Sequence, residues 1–130
     1  MSAFSNYLET EILDWINGNA FATQPSATWV QLFNSSPTET GTGGTALYSR
    51  VAVAAGGWTQ TSGATATITN TAAITITSSA PSATTASDFG VFDYSTGGNL
   101  LFYGQLTATK NIASGDEVKF NASPMTSRVD

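Results

Sequence analysis

The sequence predicts an all-β protein, an antiparallel β-sandwich or jelly-roll-like fold carrying one short N-terminal α-helix. Three observations predict it. Short runs of Thr, Ile, Val and aromatic residues with period-two alternation recur through residues 27–130. Turn signals rich in Gly, Ser and Asn separate those runs about every ten residues. A single stretch near the N-terminus has helical periodicity. Strands alternating with long helices are absent, which argues against a βαβ architecture.

The helix is expected over about residues 5–17. Leu8, Ile12, Trp15 and Ile16 fall on one stripe at helical spacing. Asn6 with Glu9 three residues on resembles a capping box, and Asn17-Gly18 supplies a stop. About three turns of helix are not stable alone, so the stripe must dock on its own domain or on a neighbour.

From Pro25 onward the period changes to two. "TWVQLFN" sets Trp29, Gln31 and Phe33 against Val30 and Leu32. "YSRVAVA", "GWTQTSG", "ATATITN" and "AAITITSS" read as further strands, and "PSATTAS" as a loop. "DFGVFDY" puts Phe89 and Val91 on one face and Gly90 and Phe92 on the other. In "LLFYGQLTATK", Leu100, Phe102 and Leu106 alternate with Leu101 and Tyr103. "EVKFNA" follows the turn "ASGDE", and the tail "MTSRVD" suits an edge strand. At 130 residues the chain fits one domain, 1–130, with the sandwich over about 27–130. Folding at this size buries about two-thirds of the unfolded surface.

Composition narrows the function. Charged residues make up 10% of the chain, against a typical value near 25%. Thr, Ser, Ala and Gly fill the deficit. A polar but weakly charged surface loses little on desolvation, which suits subunit contact. Four Lys/Arg against nine Asp/Glu give a net charge of −5, so a phosphate-tracking basic patch is not expected. The chain has neither Cys nor His, which removes disulfides, thiolate metal sites and His-based nucleophilic catalysis. No run of about 20 apolar residues suggests a membrane span. The N-terminus lacks signal-peptide character, and synthesis in a host cytoplasm is expected.

The stretch "ETGTGGTALYSR", Glu39 to Arg50, is the one candidate phosphate cradle. It lacks the lysine of a P-loop, and a strand rather than a helix follows it. Asp88 and Asp93 are an odd number of residues apart and face opposite sides of a straight strand. Asp93, Asp116 and Glu117 form no calcium-loop pattern. The chain is therefore read as a non-enzyme with no cofactor and no metal. The glycine stretch reads instead as a pliant arm that orders on contact. The candidate interaction residues are Leu8, Ile12, Trp15 and Ile16 on the helix, then Thr40, Gly41, Thr42, Gly43, Gly44 and Arg50.

The pieces "LETEILDWINGNAF", "WVQLFNSSPTETGTGGT", "YSRVAV", "ASDFGVFDYSTGGNLLFYGQL" and "NIASGDEVKF" occur in this order over nearly the whole chain. So arranged, they resemble a family of small structural proteins of tailed bacteriophages, some tail-fibre-like and some virion- or capsid-associated. The matching pieces are turns and core strands. The resemblance implies a virion component with no cofactor and no catalytic residues. The role expected first is capsid decoration: a homotrimer or other homo-oligomer on the outer head surface, clamping the major capsid protein. The alternative is a tail-fibre or receptor-binding component that holds glycans on exposed aromatics.

Overall fold

A computed structural model describes residues 3–63, 66–77, 83–121 and 126–129. Among them a two-residue strand β1 (Ala3–Phe4) precedes the helix α1 (Asn6–Ile16). Then follow β2 (Ala27–Phe33), β3 (Ala46–Ala54), β4 (Trp58–Thr61), β5 (Ala66–Asn70) and β6 (Ile74–Thr77). The last four strands are β7 (Thr84–Phe92), β8 (Leu100–Ile112), β9 (Glu117–Phe120) and β10 (Thr126–Val129). Every pairing is antiparallel. The all-β fold with one N-terminal helix is thus the observed class. The strand ends expected at Ala64–Thr65, Ser78–Ser79 and Ala122 lie outside the described residues.

One layer is a five-stranded sheet of order β1-β8-β7-β2-β3. The facing layer is split into β10-β5-β4 and β6-β9. The main core lies between them. Val30, Leu32, Phe89, Val91 and Phe102 come from the large sheet, and Ile74, Ile76, Val118 and Phe120 from the β6-β9 pair. Trp58 of β4 meets Phe102 edge-on, with centroids 5.3 Å apart. Asn70, fully buried at the end of β5, donates to the carbonyls of Ala72 and Asn121 at 2.9 and 2.8 Å. That amide links the two parts of the split layer and satisfies backbone acceptors that would otherwise be left bare.

The opposite face of the large sheet carries a second, smaller cluster of Phe33, Phe92 and Leu100, flanked by Trp29 and Tyr103. The expected alternation of β8 fails here. Val91 pairs with Phe102 but Phe92 pairs with Leu100, so Leu101 is an extra residue in the ladder. This bulge turns Leu100 to the face opposite Phe102. Gly90 lies under the small cluster, where a Cβ would come within 2.9 Å of Leu100 Cδ1 and 3.2 Å of Phe33 and Phe92.

Two boundaries also differ from expectation. The helix cap is Ser5 and not Asn6: Ser5 Oγ accepts the Leu8 N–H at 3.2 Å and donates to the Leu100 carbonyl. A hydroxyl there serves the helix and the sheet together, which an Asn one residue later does not. The expected loop "PSATTAS" is strand from Thr84, because Thr84 and Thr85 pair with Ile112 and Asn111. Pro81 and Ser82 lie outside the described residues.

Candidate functional site

The site begins with a glutamine inside an apolar strand. Val30 pairs with Val51 and Leu32 with Leu47, so Gln31 alone on β2 opposes Tyr48, Ser49 and Arg50 on β3. Gln31 fills the resulting gap. Its buried Nε2 donates to the carbonyls of Leu47 and Tyr48 at 2.6 and 2.9 Å. Tyr48 takes a positive φ of 62°, a strained choice for a bulky residue that surrounding bonds must hold. Its hydroxyl is buried and has no hydrogen-bond partner among the described residues.

The bulge aims Arg50 across the sheet. The guanidinium carbon stands 3.6 Å from the centroid of the Phe92 ring. Nη1 donates to the carbonyls of Tyr94 and Gly97 at 2.7 and 2.8 Å. Partial burial pulls the Arg50 pKa down, and the nearby Asp93 carboxylate opposes that shift. Residues 94–98 belong to the β7–β8 hairpin, closed by Asp93. Its two carboxylate oxygens accept from the backbone N–H and side-chain amide of Asn99, at 2.7 and 2.9 Å. Asp93 and Asp116, weighed from sequence as calcium ligands, are therefore turn locks; Asp116 Oδ2 accepts from the Ala113 N–H. Among the described residues no group of three acids converges.

The glycine stretch is not an extended arm. Asn34 closes its base, pairing with Thr45 through backbone and side chain. Gly43 N–H donates back to the Pro37 carbonyl at 2.8 Å, and Gly41 N–H to that of Thr38 at 3.1 Å. The hydroxyls of Thr38, Thr40 and Thr42 form a row, spaced 3.1 and 2.8 Å. Gly41 has φ 73° and rests on Leu100, 3.0 Å from where its Cβ would be; any other residue would be strained and crowded there. The helix start is tied to the same loop, since Asn6 N–H donates to the Glu39 carbonyl at 3.1 Å. A closed loop wins over a pliant one because its backbone groups find partners at home.

Thr40, Gly41, Thr42 and Arg50 thus line one cleft of about 420 Å³, with Tyr7, Phe92 and Asn99. Gly43 and Gly44 lie behind it, packed on residues 35–38. Leu8 lines a different, more apolar cleft of about 600 Å³ with Phe4, Trp58 and Phe102. Ile12 is half-buried, whereas Trp15 and Ile16 are exposed. The predicted residues therefore divide into a cleft, a seated half-helix and a free half-helix.

Sequence reasoning passed over Gln31, Phe92 and the Asp93–Asn99 lock. One signal was present for the first: a lone amide within the apolar run Trp29–Phe33. Tyr7 and Tyr103 also belong to this end. Burial chiefly raises the pKa of each, helped for Tyr7 by Glu11 and Asp93 and for Tyr103 by Glu39 and Glu9.

A family model described as "Podophage GP4 fiber I protein gp80" matches residues 3–128. No curated protein matches the chain significantly.

Proposed function

Because the chain belongs to the podophage GP4 fiber I protein gp80 family, a family of structural fibre proteins, we propose that it is a rigid subunit of the virion's fibre, held in place by protein–protein contacts. It is a phage structural protein and a virion component. The observation that carries the finer reading is the internal engagement of the cleft's polar groups. Arg50 donates to two carbonyls of its own chain, the threonine hydroxyls meet each other, and Asp93 holds Asn99. Such internal bonds tie one end of the molecule together.

A second reading, decoration of the outer head surface on the major capsid protein, is favoured by a different face. On β4 and its surroundings, exposed threonine hydroxyls pair across the sheet, Thr59 with Thr71 and Thr61 with Thr67. A face rich in threonine hydroxyls suits repeated contact between copies in a homotrimer or on a lattice.

Cryo-EM of purified virions with quantitative mass spectrometry tests both. Density in the fibres at fibre copy number is expected. Density over the head shell, with a copy number tracking the major capsid protein, would transfer the protein to the second reading. Absence from purified virions would sink both.

A further inference from the structure

Helix α1 runs off its support. Leu8, Ile12 and Ile16 form one stripe at four-residue spacing. Leu8 and Ile12 are half-buried on the body of the protein, but Ile16 is 69% exposed, with Leu13 at 66% and Trp15 at 62%. Leu13 lies about 60° to one side of Ile16 around the helix, and Trp15 about 100° to the other. Asp14, the acid of that turn, lies about 160° away from Ile16. An apolar knob therefore faces one way and the carboxylate the other. One exposed apolar residue is ordinary; three sharing a turn mark a contact surface.

The same chain carries a hollow that fits such a knob. A cleft of about 600 Å³ opens between the start of α1 and strands β4 and β5. Phe4, Leu8, Trp58, Ile68 and Leu101 line it, each only half-buried. The described residues that line it carry no charge, so an apolar group enters without stripping water from an ion. Clefts of about 300–1,000 Å³ take a body of drug size, and an indole beside an isoleucine side chain is one. The knob cannot turn back into the cleft of its own chain. Trp15 stands seven residues beyond Leu8 on one continuous helix, about 10 Å further along. Charge does not bar a second copy. Beside the cleft, β10 sets Arg128 opposite the lining residue Thr67, and the helix that brings the knob is acidic, with Glu9, Glu11 and Asp14 and no cation.

We propose that the last turn of α1 in one copy seats in the β4–β5 cleft of a second copy, with Trp15 and Ile16 entering it and Leu13 at the rim. Knob and cleft are different surfaces, so the contact is head-to-tail, and it either closes a ring or propagates along a filament. The inference names a partner for the virion-subunit reading, and its role in assembly rests on that reading.

The chain has no cysteine, which makes cross-linking a clean test. Copies carrying Ile16→Cys are mixed with copies carrying Thr61→Cys, an exposed position in the cleft lining, and then oxidised. Covalent dimers with one copy of each are expected in roughly tenfold or greater excess over dimers of either alone. In sedimentation, Trp15→Ser and the cleft-filling Ala66→Phe are each expected to weaken self-association by roughly tenfold or more, with circular dichroism unchanged. Ile16→Ser, at an exposed side chain, repeats the measurement if either variant misfolds. Wild-type protein that stays monomeric up to about 1 mM would overturn the proposal. So would cross-linking mainly between two Ile16→Cys copies, since like would then pair with like. Self-association unmoved by all three variants would overturn it as well. Absence of the protein from purified virions would instead remove the virion-subunit reading and leave the contact between copies standing.

Discussion

Arg50 sits over the Phe92 ring, 3.6 Å from ring centroid to guanidinium carbon, and from there bonds the Tyr94 and Gly97 carbonyls in the turn between β7 and β8. One side chain thus joins β3 to a hairpin more than forty residues away in sequence. The contact combines a cation–π interaction with two hydrogen bonds to carbonyls, and a planar, multi-donor cation is needed to make all three. Arg50→Lys should therefore rescue little. Both Arg50→Lys and Arg50→Ala are expected to lower stability by about 1–2 kcal/mol. Thermal unfolding followed by circular dichroism would show a fall of roughly 3–5 °C per kcal/mol for a chain of this size. Full recovery by lysine would show that charge alone suffices.

The bulge beneath Arg50 contains one well-satisfied and one unsatisfied group. Gln31→Leu removes the donor shared by the Leu47 and Tyr48 carbonyls and is expected to cost about 1–3 kcal/mol. Tyr48→Phe should do the reverse. It deletes a buried hydroxyl that has no partner among the described residues and should raise stability by up to about 1 kcal/mol. Urea titrations of the two variants should move the midpoint in opposite directions.

Gly90 is set by its neighbours rather than by its backbone angles. Gly90→Ala forces a methyl against Leu100, Phe33 and Phe92. A loss of about 1–3 kcal/mol is expected from overpacking. Gly90→Ala combined with Leu100→Val should recover part of that loss, and denaturant midpoints for the single and double variants would measure the coupling.

Tyr103 has its pKa raised above the ordinary 10.0 by burial, then by Glu39 and Glu9. The unfolded chain therefore ionises first as pH rises. The neutral ring's contribution to stability is intact below the unfolded pKa near 10 and is lost as pH climbs through the folded value. Tyr103→Phe should flatten the alkaline fall in stability above about pH 10 and leave the curve near neutrality unchanged. Equilibrium unfolding at a series of alkaline pH values would decide.

Which parts were legible in the sequence follows from which interactions are local. The strands from Trp29 to Phe33 and from Phe89 to Phe92 announce themselves through composition and period, as does the helix through Leu8, Ile12, Trp15 and Ile16. The face assigned to Leu100 did not, because the extra residue Leu101 is defined only by pairing with Val91 and Phe92. A one-residue slip inverts every later side chain. The glycine stretch read as pliant because glycine composition carries no sign of partners. Its closed shape comes from Asn34, Pro37 and Leu100, which no local pattern connects to Gly41 or Gly43. The grouping of Thr40, Thr42 and Arg50 followed from nearness in sequence; their meeting with Phe92 and Asn99 did not.

The clasp between Ser5 and the backbone at Leu100 and Leu101 spans 95 residues, and this sets a timetable on the ribosome. At about 5–20 residues per second, some 5–19 s separate synthesis of the helix from synthesis of the strand that seats it. During that interval α1 is too short to hold itself together. Chains released before Leu100 cannot fix the helix in its final orientation. The last turn of α1 is therefore set in its final orientation only in nearly finished molecules.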